Sequence, residues 1–356
     1  MKILISGICG FVGNCLAEGL HDADSTVELY GIDNFSRAGS ELNLEPLRAR
    51  GVRVIRGDIR SIDDVEALPA VDWIIDAAAN ASVLAGIDGA TSSRELLENN
   101  LYGTVNLLEL AKRFRAGFIL LSTSRVYSLK PLAALPTVAR HNAFQPDGSA
   151  SLPTGITVKG VDEQFSTEPP LSLYGVSKLT SELLALEYGE TFDLPIWINR
   201  CGVLAGAGQF GRPDQGIFAY WINAYLRQQR MRYIGFGGSG HQTRDCFHPR
   251  DLVPLLRQQM TSRGDGKPHV INFGGGLANT MSLAQLSAWC AARFGAHEVE
   301  PDPAPRRFDV PWLVMDSTLA AKTWGWRPTT NLDSILNEIA AHAESHPDWL
   351  KISGAL

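Results

Sequence analysis

At 356 residues the chain exceeds one small core and allows two domains or one large α/β unit. With 45% apolar and 20% charged residues, and no apolar run near the roughly 20 residues of a membrane helix, it reads as a globular chain that does not span a membrane. The net charge of −6 lacks the Lys and Arg clustering of a nucleic-acid surface, so any phosphate it binds is expected to be small and local.

The chain opens on a short apolar run at 3–5, followed by Gly7, Gly10 and Gly13 spaced GxxGxxG ahead of a helix beginning near Val12. Glycines there let the backbone turn tightly and approach a pyrophosphate, while the helix N-terminus supplies free N–H groups and partial positive charge. The next run, 27–32, leads to Asp33, where a carboxylate would bind a ribose 2′-OH and repel a 2′-phosphate, so NAD is favoured over NADP. Arg37, in the following loop, has two readings: a 2′-phosphate contact, or a residue facing substrate or solvent. After the run 52–55, Asp58 and Ile59 suit an adenine edge, or else serve as a helix N-cap and a core residue.

Further runs at 73–76, 118–122 and 196–199 complete an alternation of short apolar strands with amphipathic stretches, notably 96–114 and 178–188. Such alternation is the signature of parallel βαβ units in a doubly wound sheet. The fifth run ends in Ser122, Thr123 and Ser124, hydroxyls at the strand end where open α/β sheets bind ligands. Between Tyr127 and Tyr174 the pattern lapses into a Pro/Ser/Thr/Gly-rich stretch, a solvated surface insertion or a substrate lid. Then come Tyr174 and Lys178 in YGVSK, one helical turn apart. Beside a nicotinamide this pair is a base for taking a proton from an alcohol: the ammonium is expected to favour the phenolate and to bond the nicotinamide ribose. Thr123 would orient the hydroxyl towards Tyr174. Singly, Lys178 reads as a surface residue and Thr123 as a strand cap; the conjunction argues for chemistry. The predicted division is a Rossmann-type domain at 1–200, with an insert at 128–173, and a smaller α/β substrate domain at 201–356, some of whose segments return to the first sheet.

Five cysteines, Cys9, Cys15, Cys201, Cys246 and Cys290, lack CxxC or His-linked spacing, which points to reduced thiols and no metal. No leader pattern precedes the first strand, and a cytoplasmic location is expected.

Gly7, Gly10, Gly13, Asp33, Asp58, Thr123, Tyr174 and Lys178 together resemble the extended short-chain dehydrogenase/reductase family, the nucleotide-sugar epimerases and dehydratases, over almost the whole chain. Asn100, Asn199, Arg200, Arg244, Asp245, Asn272, Arg306 and Asp309 also stand at the family's expected places. The resemblance implies NAD retained through a complete oxidation and reduction cycle. It places around the cofactor Phe11, Val12, Asn34, Arg37, Ile59, Ala77, Ala78, Ala79 and Asn100, with the residues already named. It places Ser124, Asn199, Arg200, Gln209, Gln215, Arg244 and Arg306 around a nucleotide-diphosphate sugar, and it implies a homodimer or homotetramer through the stretches 96–114 and 178–188.

Within the family, DNFSRAGSELNLEPL, RGDIRS, the insert and QFGRPDQG look most like the CDP-paratose 2-epimerase subgroup. Asp76, Ser128, Cys201 and Gly208 depart from it, the last two beside the substrate. The family's dehydratases place an acidic pair after the catalytic Thr; Ser124 and Arg125 stand there instead, which disfavours elimination. A UDP-sugar 4-epimerase is the enzymatic rival, and a non-catalytic NAD-binding protein the rival of another class, disfavoured by Thr123, Tyr174 and Lys178 occurring together. Cys201 is an acid/base for a further epimerisation or an inert buried thiol.

Overall fold

The computed structural model describes residues 1–262 and 266–356. Seven strands, β1 (Lys2–Ser6), β2 (Glu28–Asp33), β3 (Arg53–Arg56), β4 (Trp73–Asp76), β5 (Gly117–Thr123), β6 (Ile196–Cys201) and β7 (Val270–Phe273), form one parallel sheet in the order β7-β6-β5-β4-β1-β2-β3. The order reverses between β1 and β4, so the connections after these strands leave towards opposite sides and open a crevice at their carboxyl ends. Both faces are covered, because successive side chains point to opposite sides. Ile3 and Ile5 join one apolar cluster with Ile75, Ile119, Trp197 and Ile271, while Leu4 joins the other with Ile74, Phe118, Leu120 and Ile198. This double burial is why the strands read as unbroken apolar runs.

β7 lies well beyond residue 200 in the chain, and the helices Val253–Thr261 and Thr318–Trp324 pack with it on the large sheet. The rest of the C-terminal part builds a second, mixed sheet from Val203–Leu204, Thr243–Phe247, Thr280–Ser282 and Trp312–Leu313, backed by helices Ile217–Leu226, Leu283–Phe294 and Leu332–Ser345.

The stretch 128–173 is structured. It contains a helical turn, Leu129–Ala133, a hairpin of Thr137–Arg140 with Ala143–Pro146, and a small hairpin of Ile156–Thr157 with Gly160–Val161. Val161 donates its N–H to Val314 O at 2.8 Å and accepts from Asp316 N at 2.9 Å, and Phe144 N reaches His241 O at 2.8 Å. Ile156, Val161 and Phe165 share an apolar cluster with Val126, Trp312 and Val314, so the insert braces the end of β5 against the second sheet.

The expected helix over 96–114 is three segments: Ser93–Leu97, a π turn at Glu98–Tyr102, and Gly103–Phe114. The helix expected from 178 starts earlier and runs Leu173–Phe192, because Ser172 caps it by accepting from Gly175 N at 3.0 Å. On this helix Tyr174, Lys178 and Glu182, spaced by four, are all buried against the sheet. A polar stripe on the inward face makes its apolar periodicity weak.

Candidate active site

At the crevice between β1 and β4 lies a groove of about 390 Å³. Gly7, Gly10, Phe11, Val12, Gly13, Asp33, Asn34, Ile59 and Ala77 to Ala79 line it, as expected for the dinucleotide side. Gly7 has φ of +62°, and a Cβ on Gly13 would sit 2.3 Å from Gly7 O, so loop and helix touch backbone to backbone. No side chain caps the helix Phe11–Ala23 at Gly10, which leaves its first amides open to an anion. Ser6 Oγ accepts from both Ala77 N and Ala78 N at 3.0 Å and fixes the facing wall. Asp33 accepts from Cys9 N and Phe35 N, both at 2.8 Å, using two of a carboxylate's roughly four acceptor positions and leaving capacity for a ribose hydroxyl. Burial pushes this carboxyl upward, against the pull of those amides. Two buried polar atoms in the wall, Gln209 Oε1 and Arg212 Nε, lack a hydrogen-bond partner among the described residues, although Arg212 Nε lies 3.8 Å from the Asp214 carboxylate, and a polar ligand could complete them. The groove therefore fits NAD. Gly13→Ala is expected to cost about 1–3 kcal/mol and to strip the cofactor, read as a lower thermal midpoint and loss of dinucleotide from the purified protein.

A second cavity of about 300 Å³ adjoins the groove through Val12, Ala81, Gln209, Gln215 and Gly216, which line both. Thr123, Ser124, Tyr174, Gln209, Gln215, Arg244 and Arg306 line this second space. Thr123 ends β5, and Tyr174 opens the helix that lies against it. A Cβ on Gly175 would meet Arg125 O at 2.3 Å, so only glycine lets the helix come this close. Thr123 and the Tyr174 phenol share the wall of this cavity. Burial raises the proton affinity of that phenol, while the nearby Thr123 hydroxyl and the charge of Arg125 lower it. The site can thus move a proton at one hydroxyl of a ligand lying in the cavity.

Several residues differ from expectation. Lys178 lines neither cavity; it is buried one turn from Tyr174, its proton affinity lowered by burial and supported by Asp76 and Glu182. Arg125 is a cation whose charge lowers the proton affinity of the phenol. Asn199 faces away from the cavity and exchanges amide hydrogen bonds with Gln259 at 3.0 and 2.8 Å. Arg200 points to the opposite face, where its guanidinium holds buried Glu182 at 2.7 Å. Asn100 does not line the groove: its amide accepts from Asn80 N at 2.8 Å and donates to Asn80 O at 3.0 Å, shaping the loop, while its neighbour Asn99 is the residue in the wall. The Asp58 carboxylate is taken by Arg60 and Asn34; although burial raises it, these bonds bring it down to about 2. The groove is lined instead by Gly57, Ile59 and Arg60. Arg37 does line the dinucleotide groove, and its guanidinium is tied to the 209–216 loop, bonding Gln215 Oε1 at 2.9 Å and Phe210 O. No residue of 128–173 lines either cavity, so the insert is not the roof that a lid would be. Burial raises the Cys201 thiol to about 12, which keeps it protonated despite Lys178 nearby.

Sequence reasoning missed Phe308 and Asp309 as cavity residues, though Arg306 in RRFD marked the segment. It also missed Thr91, Glu95 and Asn99 in the groove, for which no sequence signal stood out.

Residues 3–274 match the NAD dependent epimerase/dehydratase family. The chain is 28% identical to CDP-paratose 2-epimerase of Salmonella typhi over 297 residues, 80% of this chain and 82% of that enzyme. It is 27% identical to dTDP-glucose 4,6-dehydratase of Streptomyces niveus over 359 residues, 98% of this chain and 95% of that one. Among solved structures it resembles UDP-glucuronic acid 4-epimerase of Bacillus cereus in complex with UDP-glucuronic acid and NAD, with a TM-score of 0.78, 25% identity, and coverage of 97% of this chain and 99% of that one.

Proposed function

Because this chain belongs to the NAD-dependent epimerase/dehydratase family, we propose that it inverts one carbon of a nucleotide-diphosphate sugar by oxidising that carbon to a ketone and reducing the opposite face. The observation that carries this reading is that Thr123 and Tyr174 together line a cavity that adjoins the dinucleotide groove. NAD would be held by the Gly7–Gly13 turn, the open helix end and Asp33. When bound, it supplies the hydride acceptor for the oxidation and the donor for the return.

Tyr174 takes the proton of the reacting hydroxyl and gives it back to the same oxygen, with Thr123 keeping the hydroxyl in line. A keto-sugar would have to stay bound in the second cavity and turn its opposite face to the adjoining groove before reduction. Arg306 has no carboxylate within ion-pairing distance among the described residues and reaches only Pro213 O at 3.2 Å, which leaves it free for a diphosphate. Arg244 uses three of its five donors on Thr243 O, Asp309 and Val310 O and offers the other two. Ser124 and Arg125 supply no acid and base for dehydration. The intact Thr123 and Tyr174 argue against a non-catalytic NAD-binding protein.

The carbon assigned first is C2 of a CDP-linked sugar, on the likeness to the Salmonella typhi enzyme. Cys201 in the wall and Gly208 beside Gln209 depart from that subgroup, and the sugar or the base is where a difference from it would lie. Inversion at C4 of a UDP-linked sugar is the second reading, favoured by the likeness to the Bacillus cereus enzyme over nearly the whole chain. Five free thiols fit a reducing compartment, the cytoplasm. Val176 and Leu183, exposed seven residues apart on one helix, with exposed Tyr102 beside it, support a homodimer through this face.

The test is to add CDP-, UDP-, GDP- and dTDP-sugars to the purified protein and follow the near-ultraviolet absorbance of reduced cofactor, then analyse the recovered sugar. One series is expected to reduce bound NAD and return the epimer. Recovery of a dehydrated sugar, or no reduction with any series, would reject the reading.

A further inference from the structure

Arg125 occupies the turn Ser124–Val126 at the end of β5, two residues beyond Thr123, whose Oγ1 accepts from Arg125 N at 3.2 Å. Its side chain lines the substrate cavity, close enough to Tyr174 for its charge to act on the phenol. Among the described residues its guanidinium makes one hydrogen bond, to Phe308 O at 3.3 Å, and has no carboxylate within 4 Å. The acid nearest in the wall, Asp309, is committed: it binds Arg244 at 2.7 Å and accepts from Val310 N at 3.0 Å. Four of the five donors of Arg125 are therefore without a protein acceptor. Burial and the charges of Arg244 and Arg306 pull its proton affinity down to about 10, against the opposing pull of Asp309.

A half-buried cation in a cavity wall, with one backbone carbonyl as its protein partner, keeps donors open to a ligand that can complete it. Hydroxyl groups of a neutral sugar would complete it poorly, since they are dipoles and form one bond at a time. A carboxylate would complete it well, through two parallel N–H···O bonds and opposite charge. Arg244 and Arg306 already face the same cavity and suffice for the diphosphate, whereas Arg125 lies beside the pair that handles the reacting hydroxyl.

Resting on the reading of the cavity as a nucleotide-sugar site, we propose that Arg125 selects a sugar bearing a carboxylate, a uronic acid, by gripping that group beside the reacting carbon. A neutral deoxy sugar is then a poor ligand, and the lack of an acidic pair after Thr123 has a positive purpose.

The experiment measures binding to the NAD-loaded protein by calorimetry for matched pairs: UDP-glucuronate against UDP-glucose, and, free of any base preference, glucuronic acid 1-phosphate against glucose 1-phosphate. The acidic member is expected to bind about tenfold to a hundredfold more tightly in each pair, the range for a charged, bidentate bond. Arg125→Met is expected to bring the ratio close to one, and Arg125→Lys to restore part of it. Equal binding of acidic and neutral members to the unaltered protein overturns the inference without any variant. So does an Arg125→Met protein that weakens both members alike, since Arg125 would then serve the diphosphate. If no sugar nucleotide or sugar phosphate binds at all, the epimerase reading falls too, which separates the two failures.

Discussion

Tyr174→Phe is expected to slow epimerisation by about 10²–10⁴-fold while the protein keeps its NAD and binds sugar nucleotide within a fewfold of the unaltered chain. The phenol is buried and shares the wall of the second cavity with Thr123, so removing one oxygen deletes the proton acceptor and little else. Single-turnover reduction of bound NAD isolates the step. A variant that still reduces NAD at the original rate would move the base elsewhere, and Cys201 would not be its replacement, because burial holds that thiol protonated.

Glu182→Ala is expected to cost about 3–5 kcal/mol of stability, the largest structural effect foreseen for one side chain. Glu182 accepts two bonds from Arg200 Nε at 3.1 Å and one from Nη2 at 2.7 Å, and it also bonds Ser122. Its loss leaves the Arg200 cation between sheet and helix, next to the Tyr127 ring. The double change Glu182→Met with Arg200→Met is expected to regain most of the loss, since apolar side chains of similar volume replace a buried pair at little cost. Thermal unfolding of the three proteins decides: a single variant no less stable than the double would mean that Arg200 finds another partner.

The ion pair also shows how far the sequence could be read. Arg200 and Asn199 are adjacent, polar and near the end of a strand, and a strand end beside a ligand crevice suggests ligand contacts. In the pleat, however, neighbours point to opposite faces of the sheet. Asn199 goes to Gln259 on the helix covering one side and Arg200 to Glu182 on the helix covering the other. Both partners are distant in the chain, 60 and 18 residues away, and nothing local to β6 announces them. Asn100 was misjudged for a similar reason: the π turn puts Asn99 into the groove wall and commits Asn100 to the Asn80 backbone.

The readings that agree with the structure rest on backbone requirements or on short-range spacing. The glycine turn, the carboxylate at the tip of β2, the Thr at the end of β5 and the Tyr heading its helix each follow from where a residue sits in a strand–loop–helix unit. Such units repeat the same local geometry wherever they occur. By contrast, the uses of Arg37, Asp58 and Lys178 depend on which charged or polar groups from other elements arrive beside them.

By itself, then, the sequence determined the parallel sheet, the dinucleotide groove and the positions of Thr123 and Tyr174, because glycine, alternating apolar runs and helical spacing act through the backbone within a few residues. The tertiary structure alone decided which polar side chains face the ligand and which hold the fold. Burial makes an unpartnered charge costly, so each arginine goes to whichever carboxylate the fold brings near it. Arg200 met Glu182 and Arg244 met Asp309, while Arg125 met none and was left facing the cavity.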